Sequence, residues 1–374
     1  MSTNPAGTDA VAARSFEARA REVTTSTLAS SRLERFGWEY IEESRGLSAA
    51  LYRHVRSGLV MASCLEGVGS KAKVIEDLVA ALGAEPWPGC DAYKYYYNVA
   101  QCGVAMIVND LITVGALPLW IFQILDLFSA EWHKNAVRKQ AVLDGWAEGC
   151  RKASAHWPGG ETAEMQDLVT PPNVIMAGSA TGQVPDGVEP ALPSRIEDGN
   201  FVVLVASNGV HANGYTGIRK MLADPKIGYD FVMENDERLV DAVLRPTYIY
   251  VAGLEMCYSA GLDIRHLVHI TGGGLSRFVR QGPAVHYVLD QIATPQPEFA
   301  VIQQYSGADM RSMIEALNMG QGLGVIVGNY DDAKQVASIY NAYGQRAWIA
   351  GRVHESDVRQ VTLVERDLTW TEAA

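Results

Sequence analysis

Five short strings in this chain combine polar or charged side chains with glycine or with an apolar run in patterns that could do chemistry. Glu66-Gly67-Val68-Gly69-Ser70-Lys71 sets a carboxylate and an ammonium at the ends of a glycine-rich turn, and Asn109-Asp110 interrupts an apolar run. Gly159-Gly160-Glu161-Thr162-Ala163-Glu164-Met165 brings further carboxylates. Ser207-Asn208-Gly209-Val210-His211-Ala212-Asn213-Gly214 and His269-Ile270-Thr271-Gly272-Gly273-Gly274 add imidazoles, an amide and more glycine. Glycines let main-chain N–H groups approach an anion closely, and carboxylates beside them can hold the magnesium that accompanies a nucleotide. Taken singly, each string also has a plainer reading. The G-x-G-S-K turn lacks the longer gap of a Walker loop and by itself reads as a tight turn before it reads as a phosphate loop. Asn109 and Asp110 can cap or kink a helix, and His211 and His269 can be satisfied structural histidines.

The strings matter only if strands and helices bring them together. Gly58 to Cys64 is a short apolar run that empties into Glu66 to Lys71, which predicts a buried strand feeding a glycine-rich loop. Val99 to Val114 is apolar almost all round and predicts a buried helix whose Asn109 and Asp110 need partners. Leu117 to Leu127 and Val174 to Val184 read as strands, and Trp132 to Ser154 as an amphipathic helix ending near Trp157-Pro158-Gly159-Gly160. Pro185 to Gly199, rich in Pro, Gly and acids, reads as a linker with a domain boundary at about residue 190. Beyond it, strands at Phe201 to Ala206, Gly322 to Gly328 and Ala347 to Val353 alternate with helices around Thr216 to Leu222 and Leu239 to Ala260, as in an α+β domain. The expected divisions are a mobile or marginally helical leader over 1–30, one domain over 31–190 and another over 191–374.

Composition limits the class. With 374 residues, 48% hydrophobic and 20% charged, the chain has ample apolar material for a core, and disorder throughout is excluded. Its 31 basic against 43 acidic side chains give a net charge of -12, and without a long Lys/Arg run no nucleic-acid partner is expected. Cys64, Cys90, Cys102, Cys150 and Cys257 form no C-x-x-C pair, so neither a disulfide framework nor a zinc knuckle is suggested, and a reducing, cytoplasmic setting is expected. No apolar run reaches the roughly 20 residues that span a bilayer, and no membrane partner is expected.

Read in order, EGVGSK, VAMIVNDLITVGALPLW, GGETAEM, SNGVHANGYTGIRK, RPTYIYV, HITGGGL and NMGQGLGVIV resemble the motifs of the aminoimidazole ribonucleotide (AIR) synthetases, the phosphoribosylformylglycinamidine cyclo-ligase family, over about residues 58 to 354. Hydrogenase-maturation proteins, selenophosphate and thiamine-phosphate kinases and the formylglycinamide amidotransferase share that PurM-like architecture. The resemblance implies a two-domain α/β and α+β fold: a PurM-like N-terminal domain that dimerises through a strand-built barrel, and a PurM-like C-terminal α+β domain. It implies a homodimer with ATP and Mg2+ in the cleft between the domains, near the dimer seam. The substrate it implies is a small amide or amidine, in the family a ribonucleotide. ATP phosphorylates the amide oxygen, a nearby nitrogen attacks the activated carbon, and phosphate departs as the ring closes. Such a transfer needs positive charge and N–H dipoles around the oxygens more than a nucleophile on the protein. Carried onto the matching positions, Glu66, Asp110 and Glu161 become metal ligands, and Lys71, His211 and Asn213 catalytic residues, with His211 the acid or base. Gly67, Gly69, Ser70, Asn109, Gly160, Thr162, Thr271, Gly272 and Gly273 become the nucleotide contacts.

The chain also departs from the family pattern. Glu66 stands where Asp is usual, Cys102 where an Asp precedes V-A-M, and Gln123 where an Asp follows the next strand. Asp126 lies off alternation with Gln123 on a strand. Tyr248 and Ala252 replace an Arg and a Lys, and Ser276-Arg277-Phe278-Val279-Arg280 replaces E-N-I-P-R. The family's N-terminal Y-x-D-A-G-V-D and G-G-F-G-G motifs are not found before Arg56. Three readings therefore stand side by side: the cyclo-ligase; a relative performing ATP-driven amide activation or cyclodehydration on another substrate; and a dimeric scaffold without turnover.

Overall fold

In the computed structural model, which describes residues 10–83 and 92–372, strands gather into two sheets. Residues 1–9 of the expected leader and Cys90 lie outside the described residues; the other four cysteines are buried free thiols. Helix α1 (Ala10–Leu28) comes first, so the leader is helical over that span. It precedes β1 (Trp38–Tyr40), β2 (Ala50–His54) and β3 (Val60–Gly67). Helices α2 (Lys71–Leu82) and α3 (Ala92–Leu111) lead to β4 (Leu117–Leu127), and α4 (Glu131–Lys134) and α5 (Ala136–Lys152) lead to β5 (His156–Glu161) and β6 (Val174–Gln183). The first sheet has the order β1-β2-β3-β6-β4-β5.

The second half contributes β7 (Phe201–Ala206), α6 (Tyr215–Ala223), α7 (Leu239–Val243), α8 (Val251–Ser259), β8 (Ile264–His269) and β9 (Val285–Leu289). Then come α9 (Pro297–Ser306), α10 (Met310–Ala316), β10 (Gln321–Val327), α11 (Tyr330–Ala342), β11 (Ala347–Glu355), β12 (Arg359–Leu363) and β13 (Leu368–Glu372). Its seven strands run β13-β12-β9-β11-β7-β10-β8.

Several expected elements differ in extent, each for a local reason. The helix expected over Leu239 to Ala260 is two helices, because Pro246 lies between them and has no N–H to continue the ladder. The helix expected from Trp132 breaks at Asn135, whose side chain accepts from the Arg138 N–H and caps α5. Gly159 to Glu161, expected as a loop, is the end of edge strand β5, where a Cβ at Gly160 would come within 2.1 Å of the Gln123 carbonyl oxygen.

Strand alternation gives the first sheet two unlike faces. Cys64 points to α3 and its Sγ donates to the Ile107 carbonyl at 3.2 Å, while Leu65, Phe122 and Ile175 on the opposite face are 69%, 45% and 48% exposed. Helix α3 is apolar on all sides because it is covered on all sides: Ile107 and Leu111 share a core with Val203 and Leu323 of the second half, and Val99 shares another with Leu204 and Tyr215. Among the described residues no helix is long and apolar enough to cross a membrane.

A buried ion pair fixes the helices of the first half. Glu76 accepts from Tyr96 at 3.0 Å, Arg138 at 3.1 Å and Trp132 at 3.3 Å, and burial pushes its carboxyl upward against the pull of Arg138. Arg138→Ala is expected to cost about 3–5 kcal/mol, since it strands a buried carboxylate. Urea unfolding checks this, and a loss within error of zero would show that Glu76 protonates and adapts.

Candidate active site in the interdomain cleft

Strand β3 delivers Glu66 to the face that carries α3, two residues beyond Cys64, and α3 delivers Asp110 to the same place. Both carboxylates line a cleft of about 760 Å³ between the halves, together with His269, Thr271 and Gly272. His269, 1% exposed at the end of β8, bonds Asp110 Oδ1 through Nδ1 at 2.7 Å and has no partner at Nε2. Burial pushes the Glu66 carboxyl upward, opposed by the Gly67 N–H and reinforced by Asp110. A desolvated pair of acids facing a cleft is a place where a cation is wanted.

The same cleft is lined by arginines. Arg277 donates to Thr271 Oγ1 at 2.9 Å and to the Gly272 carbonyl at 3.2 Å, and Arg280, Arg359 and Arg21 also line it. The glycine turn at its base is sterically required: Gly273 and Gly274 have φ of 95° and 50°, and a Cβ at Gly274 would lie 1.9 Å from the Ile314 carbonyl oxygen. Asn213 packs beside it, with its Oδ1 3.7 Å from where a Cβ of Gly272 would be and its Nδ2 buried without a partner.

Three expected site residues serve instead as struts between the halves. Lys71, at the start of α2, is fully buried and donates to the carbonyls of His211 at 2.6 Å and Arg245 at 2.8 Å, and burial pushes its ammonium downward. It does not line the cleft, because its donors are taken up by main chain in the seam. Asn109 donates to the Tyr248 carbonyl at 2.7 Å and accepts from the Tyr250 N–H at 3.0 Å, so its amide is consumed by the second half rather than offered to a nucleotide. His211 is 2% exposed in a left-handed conformation (φ 56°), with Nε2 bonded to Asn208 Oδ1 at 3.1 Å. The expected acid–base role at its ring meets a buried, neutral imidazole: burial first, then His269 and Lys71, hold it well below the usual range.

Glu161 does not join Glu66 and Asp110 within one chain. It pairs with Ile124 of β4, which pairs with Ala177 of β6, which pairs with Gly67 of β3, three strand spacings or roughly 14 Å across the sheet. It also shares the face of Ile124, opposite the one that carries Glu66. Gly160 and Thr162 stay with it at the exposed edge. Gly67 sits in a tight spot, where a Cβ would lie 3.0 Å from the Met176 carbonyl oxygen, whereas Gly69 (φ 58°) and Ser70 shape the turn into α2.

The departures from the family pattern are also placed. Cys102 is buried in the seam, where its Sγ accepts from the Thr247 N–H at 3.2 Å. Gln123 faces inward with its Nε2 unpartnered, and Asp126 faces the other way, so alternation bars it from standing in. Sequence spacing offered no sign that His269 meets Asp110, nor that Arg21 and Arg359 reach the cleft, since these contacts join distant segments.

The fold and the site thus define a two-domain α/β and α+β protein with a carboxylate-and-arginine cleft between its halves. Residues 56–184 match the AIR synthase related protein N-terminal domain and residues 197–364 the corresponding C-terminal domain. The chain is 34% identical to a phosphoribosylformylglycinamidine cyclo-ligase of Coxiella burnetii over 309 residues, 80% of each chain. It is 33% identical to that of Paraburkholderia phymatum, covering 79% of this chain and 78% of that one. The chain belongs to the AIR synthetase family. Its fold resembles that in a HypE–HypF complex (TM-score 0.56, 18% identity, 87% of this chain and 92% of that one). It also resembles Thermotoga maritima PurL complexed with AMPPCP (TM-score 0.51, 15% identity, 83% and 43%).

The neutral burial of His211 has a measurable consequence. Below the ordinary imidazole value of about 6.5 the unfolded chain takes up a proton that the folded ring refuses, so this residue's contribution to stability falls as pH drops. The stability gap between wild type and His211→Gln is expected to narrow between about pH 7.5 and about pH 5.5 in urea unfolding. A gap constant over that range would show that the folded ring protonates normally.

Proposed function

We propose that this chain is an ATP-dependent ligase that converts formylglycinamidine ribonucleotide to aminoimidazole ribonucleotide, with release of ADP and phosphate. One observation carries the reading: Glu66 and Asp110 line, together with Thr271, Gly272 and arginines, a cleft between the two domains of an AIR synthetase family member. Its relatives named phosphoribosylformylglycinamidine cyclo-ligase match most of its length.

The donor set fits magnesium that arrives on a nucleotide. No cluster of three His, Cys, Asp or Glu suited to a metal occurs among the described residues, but magnesium commonly takes one or two carboxylates and completes its shell with phosphate oxygens and water. Glu66 and Asp110 would hold it, and MgATP supplies the phosphoryl group that makes an amide oxygen a leaving group. His269 orients the Asp110 carboxylate by its 2.7 Å bond. Arg277 and the Thr271 to Gly273 turn supply positive charge and N–H dipoles where charge develops on the transferring group. Asn213, with an unspent donor beside Gly272, contacts the substrate side of the same turn.

The protein acts as a homodimer in this reading. The exposed apolar face of the first sheet, with Leu65, Phe122 and Ile175, is the surface a second copy covers. Glu161, on the edge strand of that sheet, then serves the site of the other copy rather than its own. We place the division between the domains at about residue 190, between the end of β6 and the start of β7, and the setting in the cytoplasm.

The decisive assay follows ADP and phosphate release with ATP, magnesium and formylglycinamidine ribonucleotide, with chromatographic detection of the aminoimidazole product. Wild type is expected to form product in step with ADP, and Asp110→Asn to lose at least about 100-fold in turnover while keeping its unfolding midpoint. Mixing Asp110→Asn with Glu161→Gln subunits should restore activity, because a mixed dimer keeps one intact site. ADP release without the aminoimidazole product would overturn the assignment of substrate, and no recovery on mixing would overturn the shared site.

A further inference from the structure

Helix α1 is held differently from the rest of the fold. None of its described side chains is buried, whereas every later helix buries at least one. Among the described residues it contributes to neither apolar core, and its Phe16 and Val23 are 76% and 51% exposed.

Its own sequence holds it weakly. The last turns read Val23-Thr24-Thr25-Ser26-Thr27, and β-branched and short hydroxylated residues are poor helix formers. Thr24 and Thr25 donate back to the Arg21 carbonyl at 3.0 and 3.1 Å, Ser26 to that of Val23 at 2.7 Å and Thr27 to that of Thr24 at 2.7 Å, and such bonds weaken and bend a helix. No acid stands in its first turn and no base in its last, so its dipole is uncompensated. Without tertiary packing, a 19-residue helix of this composition is marginal in water.

One segment of the first half seats it. Arg45, gripped by Glu42 at 2.9 and 2.6 Å and lying over the Tyr40 ring, donates to Thr25 Oγ1 at 2.7 Å and to the Arg21 carbonyl at 3.5 Å. The Arg21 side chain lies along the same segment, since a Cβ at Gly46 would come within 2.7 Å of its Nη1. Arg21 is exposed and also lines the cleft, as do Gly46, Leu47, Glu66 and Asp110, which puts α1 at the mouth of the site. Arg45 keeps Glu42 whether or not the helix is seated, so release breaks few bonds and exposes little apolar surface. Ala29-Ser30-Ser31, small residues in a turn closed by the Ser31 N–H on the Leu28 carbonyl, supply the hinge.

We propose that helix α1 is a strap that opens and closes the cleft, latched by Thr25 on Arg45, and that it shuts out water while the activated amide meets its nucleophile. This rests on the cyclo-ligase reading of the cleft. Once its oxygen is phosphorylated, the amide carbon is open to any nucleophile. If water attacks in place of the substrate nitrogen, the carbon keeps the water oxygen, phosphate departs with the old one, and two protons are released as the amide re-forms. ATP is then consumed and no ring is made. A closed strap suppresses that side reaction.

Hydrogen–deuterium exchange of the full-length protein tests the motion, with magnesium and the ATP analogue AMPPCP, formylglycinamidine ribonucleotide, or both as probes. In the free protein the α1 amides should exchange at least about 100-fold faster than those of α3, and with both probes present they should slow about tenfold or more. Thr25→Val removes the latch hydroxyl and keeps the side chain's shape. It should abolish that slowing, leave the α3 amides and the thermal midpoint unchanged, and raise ADP release to about twice the aminoimidazole product or more. Arg45→Gln should act alike, which separates the latch from a change in helix propensity. Exchange at α1 as slow as at α3 in the free protein, or unchanged by both probes, overturns the strap. In the second case a thermal midpoint raised by the probes leaves the reading of the cleft standing, and an unmoved midpoint removes that reading too. One ADP per product in Thr25→Val, with its helix freed, overturns the exclusion of water.

Discussion

The seam between the two halves rests on two polar side chains that have no access to water. Lys71 donates to the His211 and Arg245 carbonyls, and Asn109 exchanges bonds with the Tyr248 and Tyr250 backbone. A buried ammonium or amide without partners costs several kcal/mol, so these bonds are nearly obligatory once the helices that carry them are covered. They fix α3 and the start of α2 against loops of the second half. Everything in the cleft inherits its position from that contact, because Asp110 follows Asn109 on α3 and the Glu66 turn ends at Lys71.

The apolar cores reinforce the same constraint. Each draws residues from both sheets, so neither half completes its interior alone. Close packing of this kind holds Glu66, Asp110 and His269 in one arrangement at the cleft. Backbone strain is local: His211 adopts a left-handed conformation (φ 56°) at the point where its carbonyl accepts from Lys71 of the first half.

Charge is distributed against the average of the chain. An acidic protein gathers arginines from α1, the Gly274–Arg280 segment and β12 around one cleft that Glu66 and Asp110 also line. Single-chain geometry leaves Glu161 outside it, on the far face of the sheet and at its edge. Leu65, Phe122 and Ile175 leave an exposed apolar surface on that same face of the sheet.

Much was determined by the sequence alone. Apolar periodicity marked β3, β4, β6, β7, β10 and β11 and the all-round burial of α3, and the ordered glycine and acid strings carried the family resemblance, because strand alternation and turn chemistry are local properties. Glu66, Asp110, Thr271 and Gly272 were legible as cleft residues for the same reason. Tertiary structure decided the rest. Whether Lys71, Asn109 and His211 face a ligand or a main-chain carbonyl depends on which distant backbone packs on them, and a motif does not encode that. The face and edge position of Glu161 depend on strand register, where one residue reverses the side. His269 meets Asp110, and Arg21 and Arg359 reach the cleft, only because burial of the shared cores folds remote segments onto one another, a consequence of summed apolar contacts that no local spacing records.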